Sequence, residues 1–240
     1  DENRGLAMPH FLRHREPDAV EFMDDPECDR GKLFNTYRRF RYVNAVLSSS
    51  RAIYRRWLRP AMIDKSLQYT ALDIGFGGGD MAIKLARRAA RDGYKLDITG
   101  IDTDRRAFDY VADLPHPDNV HFRHAGTKEL VANGERYDFV LSNHLLHHLD
   151  KVEFSTLLHE AVQLSHRFAL MIDLRRSDIA YGLFSTLALP LSFNSYIRVD
   201  GLASLRRSYT MWELRGIKPS GWALQRLFPF RLALCYRHGR

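Results

Sequence analysis

The sequence predicts an α/β fold that is doubly wound around a mostly parallel sheet. A helical cap is expected at its amino-terminal end and an antiparallel β-hairpin at its carboxyl-terminal end. From Thr70 onward, short apolar runs alternate with helical patterns of roughly 10–15 residues, which is typical of βαβ crossovers and of parallel strands. Before Thr70 the apolar residues recur at helical spacing, and in residues 222–237 two apolar runs meet at Phe228–Pro229–Phe230, as strands meet in a hairpin.

The first third of the chain predicts two helices after a loosely ordered start, residues 1–18. Asp29 fits a helix N-cap, and apolar side chains recur every three or four residues from there to Leu47. Three serines at 48–50 interrupt this pattern, and a second amphipathic helix is expected over Arg51–Leu58.

Between these helices and the hairpin, the sequence predicts five strands and three helices. The strands are expected at 70–74, 95–102, 119–125, 137–143 and 167–174, and the helices at 81–93, 104–114 and 153–165. Asp80 is expected to cap the first of these helices and Gly93 to end it.

Length and composition exclude several classes of protein. A chain of 240 residues that is 45% apolar can bury a deep core, which excludes a disulfide miniprotein or a disordered chain. The two cysteines, Cys28 and Cys235, lie far apart, so neither a disulfide framework nor a thiolate metal site is predicted, and a cytoplasmic location is expected. The longest apolar stretch, Tyr181–Phe193, is too short to cross a bilayer.

The net charge of +7 raises the question of a nucleic-acid partner. The arginines come in short clusters that alternate with apolar residues at helical spacing, which is typical of a solvated helix face. We therefore expect no nucleic-acid partner, although an RNA-modifying enzyme remains an alternative.

A glycine-rich turn, residues 75–79, follows the first strand of the predicted sheet. Glycines there allow positive φ angles and a close approach of ligand to backbone. The dinucleotide fingerprint G-x-G-x-x-G is not met, because Asp80 stands at its last position. Asp73, at the end of the strand, disfavours a pyrophosphate and suits a ligand with a cationic end, such as an amino group.

A second acid, Asp102, ends the second strand and is followed by Thr103. At this distance beyond a glycine-rich turn, an acid is placed to accept hydrogen bonds from both hydroxyls of a ribose. The two acids together predict a site for a nucleoside that carries an amino group.

Residues 70–175 resemble the class I S-adenosylmethionine-dependent methyltransferases. The resemblance is carried by LDIGFGGGD (72–80), GID (100–102) and YDFVLSNHLLHHL (137–149). It implies a Rossmann-like fold with a reversed carboxyl-terminal hairpin, S-adenosylmethionine (SAM) as the cofactor and S-adenosylhomocysteine (SAH) as its product. The cofactor-binding residues that it implies are Asp73, Gly75, Gly77, Gly79, Asp102, Thr103, Thr127 and Asn143.

One position departs from the pattern of this family. The acid that holds the adenine amino group in many members falls near Gly126 here, so the backbone or Thr127 is expected to hold adenine. Shorter pieces at 21–29, 173–177 and 200–214 resemble a bacterial subgroup often found beside polyketide synthases. That resemblance implies a phenolic, quinone-like or polyketide-derived acceptor.

Three histidines follow the fourth predicted strand, where the chemistry of an open parallel sheet is expected. Histidine suits the removal of a proton from a phenol or acid near neutral pH. We predict that His147 faces the acceptor and name His144 as the second candidate, with His148 orienting the loop. No further ligand lies at clear spacing from these histidines, so no metal site is predicted.

Two segments outside the predicted sheet are rich in aromatic residues. We assign residues 1–60 to a helical cap or lid and residues 61–240 to the methyltransferase domain, with a lid insertion at about 176–212. Arg175, Arg176, Arg206 and Arg207 are candidates for holding an anionic acceptor. The expected activity is O-methylation of a small molecule. The alternatives are an RNA methyltransferase and a non-catalytic protein that binds partners through its cap.

Overall fold

The computed structural model describes residues 10–47 and 49–239 and contains a seven-stranded sheet. The strands are β1 (Gln68–Ile74), β2 (Lys95–Asp102), β3 (Val120–His124), β4 (Tyr137–Asn143), β5 (Ser165–Leu174), β6 (Ala223–Leu227) and β7 (Arg231–Arg237). Their order is β3-β2-β1-β4-β5-β7-β6; the first five are parallel, and β7 is antiparallel to both β5 and β6. The predicted fold class, including the carboxyl-terminal hairpin, is confirmed.

Ten α-helices connect and flank these strands in the part of the chain that the structure describes. They are α1 (Arg30–Leu47), α2 (Ser49–Ile53), α3 (Arg59–Ala61), α4 (Asp80–Arg91), α5 (Arg105–Ala112), α6 (Thr127–Ala132), α7 (Lys151–Leu164), α8 (Asp178–Leu187), α9 (Ile197–Arg207) and α10 (Met211–Ile217). A π-helical turn, Tyr54–Leu58, joins α2 to α3, so the second predicted helix is part of a longer helical run. Ser48, within the predicted break between the first two helices, lies outside the described residues.

The capping of two helices tests the sequence rules directly. The Asp29 carboxylate accepts a hydrogen bond from the amide of Lys32 at 2.9 Å, as expected of an N-cap. Asp80 was expected to cap α4, but it is the first helical residue, and Gly79 occupies the N-cap position with φ of +70°. The chain must turn through a left-handed conformation there, which glycine adopts without a steric cost.

Apolar side chains fill both faces of the sheet. On one face Trp57, Leu58 and Leu85 are buried against strand residues. On the other face, Phe154 of α7 and Trp222, which precedes β6, are buried in a second cluster. Burial on both faces is the reason that the parallel strands read as nearly continuous apolar runs.

The amino-terminal helices do not form one separate cap. Ile53, Trp57 and Leu58 are at most 3% exposed and pack into the core of the sheet, so the run from α2 to α3 belongs structurally to the main domain. This packing differs from the predicted boundary at residue 60, because an amphipathic pattern does not reveal which surface its apolar face meets.

Two segments lie together over the carboxyl edge of the sheet, and we call them the cover: residues 10–47 and residues 176–209. The buried Asp200 carboxylate accepts hydrogen bonds from the amides of Phe22 and Met23 at 2.8 and 3.0 Å. The Thr36 hydroxyl accepts another from the amide of Tyr196 at 2.8 Å. The predicted insertion therefore supplies α8 and α9 to a cover that it shares with the amino-terminal segment.

The start of the chain was expected to be loosely ordered. Residues 1–9 lie outside the described residues, but the next residues are fixed to the cover. The Asp178 carboxylate accepts hydrogen bonds from the amides of His10, Phe11 and Leu12, and Leu12 is 3% exposed. The prediction is therefore wrong for the described part of this segment, because a distant carboxylate at the start of α8 holds it.

Candidate active site

A cavity of about 1110 Å³ lies between the cover and the carboxyl ends of β1, β2, β4 and β5. The loops that follow these strands form its floor, including Gly75, Gly77, Asp102 and Asn143. Apolar side chains of the cover, such as Met23, Phe40 and Leu183, form much of its roof. In an open parallel sheet this edge is where ligands bind.

The glycine-rich turn after β1 has the conformation that its sequence predicts. Gly75 and Gly77 have φ angles of +74° and +51°, and both line the cavity. Gly78 lies against Tyr37 of α1, where a Cβ atom would come within 3.3 Å of the tyrosine side chain. The turn is thus backed by the cover on one side and open to the cavity on the other.

Gly79 has a different role from the one that the resemblance implies. It is absent from the cavity lining, and a Cβ atom there would lie 2.7 Å from a ring carbon of Phe122. The third glycine therefore permits close packing of α4 against β3.

We predict that Gly79→Ala destabilises the protein by about 2–4 kcal/mol, because it combines a left-handed backbone with overpacking. Gly134→Ala is the matched control, since Gly134 has φ of +69° and nothing within 4 Å of its Cβ position. Gly134→Ala should lower the free energy of unfolding by only about 1 kcal/mol. Urea unfolding of both variants measures the difference, and equal losses would contradict the packing role.

Asp73 is a buried carboxylate in the cavity lining that has no partner. It is 1% exposed, and neither of its oxygens has a hydrogen-bond partner among the described residues. Burial, together with the nearby charges of Asp80 and Asp102, raises its pKa to about 8. Because an unpaired buried carboxylate is energetically expensive, this residue fits a site for a cationic ligand group.

Asp102 lies at the end of β2 with its carboxylate already oriented. One oxygen accepts a hydrogen bond from the amide of Gly77 and the other from the amide of Asp104, both at 2.9 Å. Burial raises its pKa. Both Asp102 and Thr103 line the cavity, so the structure brings them together with the glycine-rich turn, as the sequence predicts.

Thr127 is not placed to hold a ligand in this cavity. Its hydroxyl donates a hydrogen bond to Glu160 at 2.5 Å, and neither Thr127 nor Gly126 belongs to the lining. The expectation that Thr127 contacts adenine is not supported by this arrangement. The reason is tertiary: Thr127 starts α6, and its hydroxyl is bonded to Glu160 of α7.

His147 lines the cavity and is held between two carboxylates. Its Nδ1 and its backbone amide each lie 2.7 Å from an oxygen of Asp173, at the end of β5. Its Nε2 lies 3.6 Å from Oε1 of Glu21, and neither of these two atoms has a hydrogen-bond partner in the described structure. Both residues line the cavity. Both atoms can therefore form a hydrogen bond with a ligand in the cavity.

The charges around His147 alter its titration. Burial alone would lower the pKa of His147, but the carboxylates of Asp173 and Glu21 raise it to about 9. Burial would raise the pKa of Asp173, but the imidazole beside it lowers this pKa to about 2. The pair therefore forms a strong base whose carboxylate stays ionised.

Sequence reasoning did not identify Glu21 as a site residue. It belongs to the cover and is 2% exposed. The only signal was that residues 21–29 resemble a methyltransferase subgroup. His148, predicted to orient the loop, faces the same segment, with Nδ1 lying 3.2 Å from an Asp24 oxygen.

His144 and Asn143 lie at the end of β4 and contact the same arginine. Nη1 of Arg231 donates to the Asn143 side-chain oxygen at 3.1 Å and to Nε2 of His144. Burial and the Arg231 charge lower the pKa of His144 well below its ordinary value. His144 is therefore neutral and already bonded, which makes it a weaker candidate base than His147.

Of the four arginines proposed for an anionic acceptor, Arg207 lines the cavity, where it pairs with acids that also line it, and the other three are absent from the lining. The buried Arg176 pairs with Glu213 at 2.5 Å, Arg206 with Glu16 at 3.3 Å and Arg207 with Asp24 at 2.9 Å. Arg175 lies over the Phe230 ring and is absent from the cavity lining.

One cluster has ligand atoms of the kind that bind metals. Atoms of Glu21, His147 and His148 lie within 4.8 Å of one another, a set that includes a carboxylate that sequence spacing could not reveal. Arg207 lies 3.6 Å from Glu21 and 2.9 Å from Asp24, so the cluster already contains a neutralising cation.

Comparisons with known proteins agree with this fold. Residues 71–166, which are 96 of the 240 residues, match the family described as "Methyltransferase domain". A comparison with curated proteins finds no match. No helix among residues 10–47 and 49–239 has the length and apolar character needed to cross a membrane.

Solved structures resemble most of the chain in fold. The plantazolicin methyltransferase BpumL in complex with SAH is 13% identical, with a TM-score of 0.63, covering 92% of this chain and 94% of that chain. Human N-acetylserotonin methyltransferase in complex with SAM is 15% identical, with a TM-score of 0.58. The match covers 88% of this chain and 57% of that chain. An O-methyltransferase family 2 protein from Planctomyces limnophilus DSM 3776, in complex with apigenin, is 17% identical, with a TM-score of 0.58. The match covers 92% of this chain and 65% of that chain.

At these identities the structural likeness establishes the fold, and the family match over residues 71–166 adds the sequence evidence. Residues 71–166 therefore match a methyltransferase domain, and the chain has the fold of methyltransferases that bind SAM and SAH.

Proposed function

We propose that this enzyme transfers the methyl group of SAM to an oxygen of a small molecule, with a phenolic, quinone-like or polyketide-derived compound as the acceptor. The observation that carries the proposal is the unpartnered Asp73 carboxylate beside the glycine-rich turn. Asp73 would bind the amino group of the methionine end of SAM, and Asp102 would bind its ribose. When bound, SAM supplies an electrophilic methyl group on a sulfonium sulfur.

The size of the cavity supports two ligands that bind together. Small-molecule sites typically measure roughly 300–1,000 Å³, and this cavity measures about 1110 Å³. The cover closes over it with apolar side chains, which favours a compact and partly apolar acceptor over an RNA chain. An O-methyltransferase in complex with apigenin has a similar fold, which is consistent with an aromatic hydroxyl acceptor.

We assign to His147 the removal of the hydroxyl proton of the acceptor. Neutral His147 would accept the hydroxyl proton at Nε2, while Asp173 holds Nδ1–H and stabilises the imidazolium that forms. Loss of this proton makes the acceptor oxygen a better nucleophile. Asp73 and Asp102 would hold SAM, which would supply the methyl group to that oxygen and leave as SAH. The cover excludes water from this step and aligns the two reactants.

Binding of SAH to the purified protein tests this proposal. We expect isothermal titration calorimetry to detect binding by the wild type, and Asp102→Ala to weaken it by about 100-fold or more, because two charged hydrogen bonds to the ribose are lost. Asp118→Ala, at an exposed loop position, is the control and should leave the affinity unchanged.

The same preparation distinguishes the alternatives. A non-catalytic protein would give no binding heat with SAH while remaining folded by circular dichroism. An RNA methyltransferase would bind RNA with an affinity that falls steeply with salt. Either result would overturn the proposed function.

A further inference from the structure

Arg231, the first residue of β7, is a buried cation inside the cavity that no site prediction included. Its side chain is 2% exposed and lines the cavity beside His144 and Asn143. The hairpin places it there, because β7 runs antiparallel to β5 and therefore begins at the edge where β5 ends. The register pairs Arg231 with Leu174, next to Asp173.

The guanidinium uses only one of its three nitrogens within the described structure. Nη1 bonds Asn143 and His144, whereas Nε and Nη2 are buried without a partner. Nε and Nη2 form one edge of the planar guanidinium. That edge matches the two oxygens of a carboxylate in a bidentate pair.

No acid in the described residues pairs with Arg231. Asp173 and Asp80 raise its pKa from a distance, but burial lowers this pKa to about 10. Asp173 is already bonded to His147 at 2.7 Å, and Asp80 pairs with Lys84 at 2.5 Å. An unpaired buried guanidinium beside the site of a sulfonium ligand is costly, and an anionic ligand would compensate for it.

We propose that the free edge of Arg231 binds a carboxylate inside the cavity, an inference that rests on the proposed function. The carboxylate has two possible sources, the acceptor and the methionine end of SAM. Both present the same planar anion, so the experiment must separate them.

The first arm compares SAH with 5′-methylthioadenosine, which lacks the amino-acid end. If the carboxylate belongs to the donor, Arg231→Met weakens SAH binding at least tenfold and leaves 5′-methylthioadenosine binding unchanged. The second arm compares benzoate with its neutral isostere benzamide, with and without SAH present. If the carboxylate belongs to the acceptor, the wild type prefers benzoate at least tenfold and Arg231→Met loses that preference.

Three controls keep the test decisive. Arg175→Met removes a neighbouring arginine outside the cavity lining and should change neither the affinity for SAH nor that for benzoate. Arg231→Lys keeps the charge but not the two-nitrogen edge, so it should show a partial loss even if Arg231→Met fails to fold. Thermal unfolding reports the folded state of each variant.

The proposal is overturned if Arg231→Met and Arg231→Lys bind SAH and benzoate as the wild type does. It is also overturned if the wild type shows no preference for benzoate and both variants retain wild-type SAH affinity. Absence of SAH binding in the wild type would instead contradict the proposed function, and the benzoate arm without SAH would still test Arg231.

Discussion

Replacing Asp73 with asparagine is expected to weaken SAH binding by about 100-fold or more at pH 8.5 while making the ligand-free protein more stable. The two effects have one cause, since the buried carboxylate is unpartnered until a cation binds. Removing one member of a buried ion pair typically costs about 3–5 kcal/mol, which corresponds to the stated loss of affinity.

The raised pKa of Asp73 gives this prediction a pH dependence with a definite sign. Its pKa is about 8 in the folded protein and 3.8 in the unfolded chain. Between these values the unfolded chain releases the proton that the folded protein retains. The contribution of Asp73 to the free energy of unfolding is therefore largest below pH 3.8 and falls by about 1.4 kcal/mol per pH unit up to pH 8.

Urea unfolding at pH 6 and pH 8 measures this dependence. Asp73→Asn should remove part of the loss of stability between these two pH values, because asparagine does not titrate. Asp97→Asn, on β2, is the control and should leave the pH dependence as it is in the wild type.

In calorimetry, wild-type SAH affinity should fall from pH 8 to pH 6, since Asp73 must lose its proton on binding, and Asp73→Asn should lack this change. SAH affinity equal to that of the wild type in Asp73→Asn would contradict the assigned role.

The elements of the sheet could be predicted from the sequence because their signals are local. Each strand of the parallel sheet is a short apolar run, and the glycine-rich turn places Asp73 and Asp102 at the ends of neighbouring strands. The register pairs Asp73 of β1 with Gly100 of β2, which brings the two acids to the same edge. That much of the site follows from chain order alone.

Residues whose roles depend on tertiary packing could not be assigned in this way. Position 79 needs glycine because a Cβ atom there would collide with the ring of Phe122 on β3. The Thr127 hydroxyl is bonded to Glu160 on α7. Glu21 and Arg231 reach the cavity from opposite ends of the chain, through the cover and the hairpin. Nothing in their immediate sequence indicates that their side chains meet His147 and His144.

Replacing His147 with glutamine is expected to lower turnover of a phenolic acceptor by about 100-fold or more and to leave SAH affinity within about twofold of the wild type. The loss follows from removing a positioned base, which typically contributes roughly 10²–10⁴-fold. Because Nδ1 of His147 is also hydrogen-bonded to Asp173 of β5, calorimetry with SAH serves as the check on the integrity of the site. His159→Gln, at an exposed position on α7, is the control for a general effect of losing a histidine.

The pH dependence of wild-type kcat/KM separates a base from a merely structural histidine. Only neutral imidazole accepts the proton, and the pKa of His147 is about 9, so kcat/KM should rise with pH up to about 9 and then level off. Glu21 is one of the two carboxylates that raise this pKa, so Glu21→Gln should move the rising limb to lower pH. Asp24→Asn lacks this direct contact with His147 and should move it less. If kcat/KM rises over the same pH range in the wild type and in Glu21→Gln, the base is a different residue. If His147→Gln turns over the acceptor at the wild-type rate, no base is used and the enzyme acts only by aligning the reactants.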